Sequence, residues 1–212
     1  MKYFKRLLLA LIAVTSLSSS AQVAIKSNLI GWGVITPNLG IEAGTSKHST
    51  VELMAYLNPW EFGEDKKHFK FWTIQPEYRY WFCERFNGWF LGVHLLGGEY
   101  SAMGINFPLR KLTWGNAYDL NPDFNISDHS TGWPDLRGEN LGRHAEGWYA
   151  GGGISVGYQH PISKHWNLEA SVGIGYVYSD LRYYGRCRQR IDKRHLNYAG
   201  ITNLQLSFLY LF

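Results

Sequence analysis

The sequence predicts an all-β fold, an antiparallel up-and-down barrel of about eight strands. Three observations carry that prediction. Apolar and polar residues alternate with period two over long stretches, short turns alternate with longer loops, and no amphipathic segment of helical period competes. The 212 residues are 45% hydrophobic and 16% aromatic but only 18% charged. Mean hydropathy is nevertheless −0.24, so apolar residues must be interleaved with polar ones. The length fits one domain, and the aromatic content excludes a disordered chain. Past the N-terminus no stretch approaches the roughly 20 apolar residues of a membrane helix.

The first 21 residues read as an export signal. Lys2, Lys5 and Arg6 form a positive head, Leu7 to Leu17 an uncharged apolar stretch, and Ser19-Ser20-Ala21 a small-residue cleavage site before Gln22. No cysteine follows the apolar stretch, so lipoprotein processing is not expected. Residues 22–212 then form a single domain. The formal charge of +4 falls to +1 once the three basic residues of the leader are removed, and nucleic acid loses its claim as a partner.

The strands are expected at roughly 23–33, 37–45, 49–58, 69–83, 88–100, 147–160, 165–181 and 195–212. The last three alternate most clearly. Trp148, Ala150, Gly152, Ile154, Val156 and Tyr158 face one way, with Tyr149, Gly151, Gly153, Ser155, Gly157 and Gln159 behind them. Trp166 to Tyr178 and Leu204 to Phe212 repeat the pattern, one face large and apolar, the other small or polar. A water-soluble barrel would hold its apolar face inside. Here the small face suits a narrow lumen and the apolar face suits acyl chains.

Short turns at Gly44–Ser49, Glu84–Gly88 and Pro161–Lys164 alternate with longer connections at about 59–68, 101–146 and 182–194. The first connection, near Trp32–Pro37, is an exception. This asymmetry describes an outer-membrane barrel with a periplasmic N-terminus. Trp32, Trp60, Trp72, Trp81, Trp89, Trp148, Trp166, Tyr183 and Tyr184 fall near strand ends, where interfacial girdles belong. Phe212 resembles the terminal aromatic through which the barrel-assembly machinery engages outer-membrane proteins. Ser46-Lys47-His48-Ser49-Thr50-Val51-Glu52 and Ser163-Lys164-His165-Trp166-Asn167-Leu168-Glu169 echo one another and suggest a shared turn module.

A resemblance becomes specific at Ala24–Asn28, Pro37-Asn38-Leu39-Gly40-Ile41-Glu42, Asn58-Pro59-Trp60 and Gln75-Pro76-Glu77-Tyr78-Arg79-Tyr80-Trp81-Phe82-Cys83. These segments resemble a domain-of-unknown-function family of small outer-membrane barrels from Bacteroidetes. The likeness runs through most of the chain after the leader and is clearest before Gly98. Members are often encoded near fimbrial genes. The resemblance therefore implies a surface-assembly association and supplies no catalytic residues.

Five groups of residues bear on function. Lys26, Glu42, Glu52, Glu77, Arg79 and Glu169 share the inward face and are expected to form an interior charge network, although four carboxylates could also do acid–base work or hold a cation. Arg182, Arg186, Arg188, Arg190, Lys193 and Arg194 make a basic loop suited to lipopolysaccharide phosphates, or to pairing with the acidic 101–146 loop. Asp128-His129-Ser130 contains hydrolase residue types, but adjacency in sequence is not a triad, and a polar turn is the simpler reading. The eight histidines show no metal-ligand spacing, and no cofactor is expected. Cys83 and Cys187 fall at opposite ends of the barrel, too far apart for a disulfide. The expected function is a non-enzymatic outer-membrane barrel serving envelope structure, adhesion or fimbria-related assembly. A lipid A-modifying enzyme is the first alternative and a small pore the second.

Overall fold

The computed structural model describes residues 22–62, 67–103, 144–184 and 190–212. The leader, Asp128-His129-Ser130, Arg186, Cys187, Arg188 and most of the long middle loop lie outside the described residues. Eight antiparallel strands close into a ring: β1 Val23–Asn28, β2 Asn38–Gly44, β3 Ser49–Asn58, β4 Lys67–Trp81, β5 Gly88–Met103, β6 His144–Pro161, β7 Trp166–Tyr184 and β8 Arg190–Leu211. Each pairs with the next, and β8 returns to β1. A two-residue segment, Glu61–Phe62, adds to the far end of β4.

Alternation dictates what the wall buries. Along β3, Thr50, Glu52 and Met54 point into the ring while Val51, Leu53 and Leu57 point out. Along β8, Asn203, Gln205 and Ser207 are buried while Leu204, Leu206 and Phe208 are exposed. The lumen is thus polar and filled, and the outer surface is a belt of Leu, Ile, Val and aromatics. Trp72, Trp89, Trp148 and Trp166 lie on that belt. Trp81 corrects the girdle expectation: it is fully buried, donating from Nε1 to Thr50 Oγ1 at 3.0 Å with its ring 4.7 Å from Phe90. It shares the inward parity of Gln75, Glu77 and Arg79, and parity overrides proximity to a strand end.

The register sets the girth of the ring. One row of hydrogen-bonded neighbours runs Leu211–Ala24–Glu42–Glu52–Glu77–His94–Gly153–Gly175 and returns to β8 at Gly200. A circuit therefore climbs from Leu211 to Gly200. One residue of that climb is a bulge at Thr202, which the register between Gly173 and Ile174 skips. The remaining stagger corresponds to a shear of about ten and a strand tilt of about 40°. Eight strands at that tilt enclose a lumen just wide enough for side chains.

Strand length grows round the ring, from 6 residues in β1 to 22 in β8. The shortest and longest strands therefore meet at the closing seam. β1 follows β8 only between Leu211 and Ser207, and the Asn28 side chain ends the ladder. Its Oδ1 accepts from Leu206 N at 3.2 Å, and its Nδ2 donates to Leu204 O at 3.1 Å. The same Oδ1 accepts from Ile30 N at 3.0 Å, capping a five-residue helix, α1 (Leu29–Gly33). The expected strand over 23–33 is thus cut short: an Asn at its sixth position starts a helical turn. Asn38 secures the return, donating from Nδ2 to Asn28 O and Thr36 O at 3.0 Å each.

The echoed turns are alike in structure. Trp81 N donates to His48 O, and Leu211 N to His165 O, at 2.8 Å each. In both copies the His Nδ1 meets a carbonyl on the adjoining segment, Cys83 O for His48 and Leu211 O for His165. The expected 182–194 loop is narrower than its sequence suggested. β7 runs through Tyr184 and β8 begins at Arg190, because the hairpin ladder continues past the apolar belt.

β6 and β7 approach so closely that Gly153 has no room for a side chain. A Cβ there would overlap Ile174 O and lie 2.8 Å from Gly175 Cα, both backbone atoms that cannot turn aside. Gly153→Val should lower the stability of the folded barrel by about 1–3 kcal/mol. Urea titration followed by gel mobility measures this, and an unchanged midpoint would contradict the packing described.

Candidate functional site

The lumen of the turn-proximal half holds a cluster of charges drawn from five strands. Glu42 on β2, Glu52 on β3 and Glu77 on β4 occupy consecutive places in one hydrogen-bonded row, so three carboxylates are cross-strand neighbours. Like charges in that position repel and would splay the wall unless cations intervened. Arg79, two residues along from Glu77, and Lys26 on β1 supply them. Glu169 reaches in from β7 on another part of the wall. All six are 2% exposed or less.

Lys26 Nζ lies 2.6 Å from Glu52 Oε2, 2.7 Å from Glu169 Oε1 and 3.9 Å from Glu42 Oε2. Arg79 spreads over all four carboxylates. Nη1 donates to Glu42 Oε2 at 3.0 Å and Glu169 Oε2 at 2.9 Å. Nη2 lies 2.5 Å from Glu52 Oε2 and Nε 3.3 Å from Glu77 Oε1, ion pairs at angles outside aligned hydrogen bonding. The guanidinium also stacks on Phe90, 4.5 Å from the ring centroid.

The remaining carboxylate oxygens find neutral donors. Thr50 Oγ1 donates to Glu42 Oε1 at 2.6 Å and Ser155 Oγ to Glu77 Oε1 at 2.5 Å. Asn203 Nδ2 donates to Glu77 Oε2 at 3.1 Å, and Gln205 Nε2 to Glu52 Oε1 at 3.4 Å. Gly92 makes the space, since a Cβ there would overlap both Glu77 Oε1 and Ser155 Oγ. Sequence reasoning did not single out Thr50, Ser155, Asn203, Gln205 or the Trp81–Phe90 pair. Their inward parity on strands flanking the charged ones was the signal that could have found them.

This arrangement bears on the chemistry open to the cluster. Glu42, Glu52 and Glu169 offer oxygens within 4.8 Å of one another, a spacing that could serve a divalent cation. The Lys26 ammonium lies among those oxygens, and the Arg79 guanidinium contacts the same three carboxylates. Acid–base work on a substrate needs access, and side chains this buried have none. The geometry is that of an internal cross-link.

The basic group is divided. Arg182 lies on β7, its side chain 46% exposed and its Nε 3.6 Å from Asp180 Oδ1. In register it faces Lys193 on β8 and Glu146 on β6, so it has neighbours of both signs. The backbones of Arg190, Lys193 and Arg194 belong to β8, while Arg186 and Arg188 lie outside the described residues. Cys83 is an exposed free thiol beside the β4–β5 turn.

Removing one member of a buried ion cluster strands its partners. Arg79→Met should destabilise the folded barrel by about 3–5 kcal/mol, and Lys26→Met by a comparable amount. In a double-mutant cycle, adding Glu52→Gln to Lys26→Met should recover part of the loss. Strict additivity would show that the two side chains do not interact.

Comparison with curated proteins gives no match. The family description "Protein of unknown function (DUF3575)" matches residues 6–212, nearly the whole chain. An eight-stranded ring with a charge-filled lumen is the structure of a member of that family, to which this chain belongs.

Proposed function

We propose that the chain is an exported outer-membrane β-barrel with a sealed lumen and a non-enzymatic, surface-associated role in envelope structure, adhesion or fimbria-related assembly. The observation that carries this reading is the inversion of the wall, with ions and amides inside and a belt of Leu, Ile, Val and aromatics outside. That distribution suits hydrocarbon and would be costly in water. A closed ring also leaves no lipid-facing strand edge along its fully paired part. About ten residues of β5 separate Trp89 from the level of Trp72 and Trp148, the length a tilted strand needs to cross an apolar layer of about 25 Å.

The leader, with cleavage after Ala21, supplies export. Phe212 supplies the signal for the barrel-assembly machinery. The charge cluster blocks the lumen and so argues against a conducting pore. Arg182, Arg186, Arg188, Arg190, Lys193 and Arg194 would then meet lipopolysaccharide phosphates at the outer leaflet, a contact suited to guanidinium groups. Neutralising Arg186, Arg188 and Arg190 together should weaken lipopolysaccharide association in co-purification, and unchanged association would remove this partner.

In a Gram-negative host the expected product begins at Gln22, fractionates with the outer membrane and migrates anomalously on gels until boiled. It should conduct no ions in planar bilayers, and its deletion should leave lipid A masses unaltered. Recovery in a soluble fraction would overturn the membrane assignment. Unitary conductance would favour the pore, and altered lipid A would favour the enzyme.

A further inference from the structure

The outer half of the barrel has a weak side. Beyond Leu204 no strand among the described residues pairs with the open edge of β8, and α1 lies against it instead. α1 and the residues after it are apolar and exposed, with Val34 66% and Trp32 53% accessible. Their hold on the wall is local: Trp32 Nε1 donates to Ser27 Oγ at 2.8 Å, and Trp60 Nε1 to Ile35 O at 2.7 Å. Beside this flap lies an open cavity of about 310 Å³. It is bordered by the inward-facing Gln75 and Asn203 and also by Ile30 and Val34 of the flap, so it reaches from the lumen to the side of the barrel.

Two observations define what the cavity would take. Gln75 borders it, is only 5% exposed, and has an Nε2 donor with no hydrogen-bond partner among the described residues. A buried donor left unpaired is costly, and an acceptor on a ligand removes that cost. Next along β4 lies the charge cluster, in which four carboxylates outnumber two cations. That excess disfavours an anionic acceptor, while Phe71, Leu96 and the flap supply apolar lining. We propose that this cavity binds a small neutral amphiphile, an aliphatic body carrying a carbonyl or hydroxyl that accepts from Gln75, admitted laterally past α1 between β1 and β8. Only the lateral route from lipid rests on the membrane reading above.

The test uses the full chain folded in detergent. A diazirine-bearing monoacylglycerol is the probe, the corresponding free fatty acid is run in parallel, and the label is mapped by mass spectrometry. Label should concentrate on α1 and on β8 near Leu204, several-fold more from the monoacylglycerol than from the fatty acid. Gln75→Leu should cut that label about five- to tenfold, the loss expected for one neutral hydrogen bond, without lowering the urea midpoint. Leu96→Phe, which keeps the Gln75 amide but fills the space opposite it across the β4–β5 pair, should also reduce it, and decides the matter should Gln75→Leu not fold. Label spread evenly over the outer face, equal labelling by the fatty acid, or indifference to the variants would overturn the proposal. Because micelles suffice, a chain that labels as expected yet fails to fractionate with the outer membrane would refute the membrane reading alone.

Discussion

The structure depends on one buried contact set, the two cations Lys26 and Arg79 among four glutamates. Five strands contribute to it, and Lys26 and Glu169 are 143 positions apart in the chain. A barrel can close only when its first and last strands meet in the correct register. A slip of one residue would turn every side chain of a strand to the other face. Here such a slip would carry Glu42 or Glu52 to the apolar exterior and leave Lys26 facing too few carboxylates. A buried ion pair often adds little net stability over well-packed apolar groups. Its value in this lumen is selection, because alternative registers strand charges that the native one satisfies.

The repeated Ser-Lys-His turn shows how the chain delivers the glutamates to one point. In each copy the backbone oxygen of the His accepts from the adjoining segment, and its ring binds a carbonyl there. Four residues after each His comes an inward Glu, Glu52 in the first copy and Glu169 in the second. Both carboxylates lie within 2.7 Å of the same Lys26 ammonium. The turn sets the height of the strand that follows it, so two equal turns set two carboxylates at equal depth. A local sequence device thereby contributes to a long-range contact.

Period-two alternation in the sequence locates the eight ring strands, and alternation alone puts Lys26, Glu42, Glu52, Glu77, Arg79 and Glu169 on one face. It could not say which carboxylate each cation would touch, since that depends on the stagger accumulated round the ring. Trp81 departs from the girdle expectation because the parity it shares with Arg79 prevails over its nearness to a strand end. α1 is masked in the sequence by Ile30 and Trp32 within it and by Val34 and Ile35 after it, residue types favoured in strands. The turn into the helix is decided by Asn28, whose side chain serves the helix and the β8 edge together, a dual role that single-strand reasoning does not reveal. The bulge at Thr202 is equally absent from the alternation, and its side chain meets His94, whose Nε2 lies 2.8 Å from Thr202 Oγ1.

The steady lengthening from β1 to β8 ties these features together. In a tilted ring, strands that begin at one rim and lengthen in order produce a second rim that is high on one side and low on the other. The low side must fall at the seam, where a 6-residue strand meets a 22-residue one. A wall that simply ended there would expose unpaired backbone. The chain instead covers the gap with the Asn28 side chain and a five-residue helix, neither of which continues the ladder upward. The half of the lumen nearest the short turns is consequently cross-linked by ions and closed by complete strands. The other half is closed at one side by an apolar flap with few fastenings. Rigidity and access are thereby separated along the barrel axis, and the residues that make the first, Glu77 and Arg79, lie two and four positions from Gln75, which borders the second.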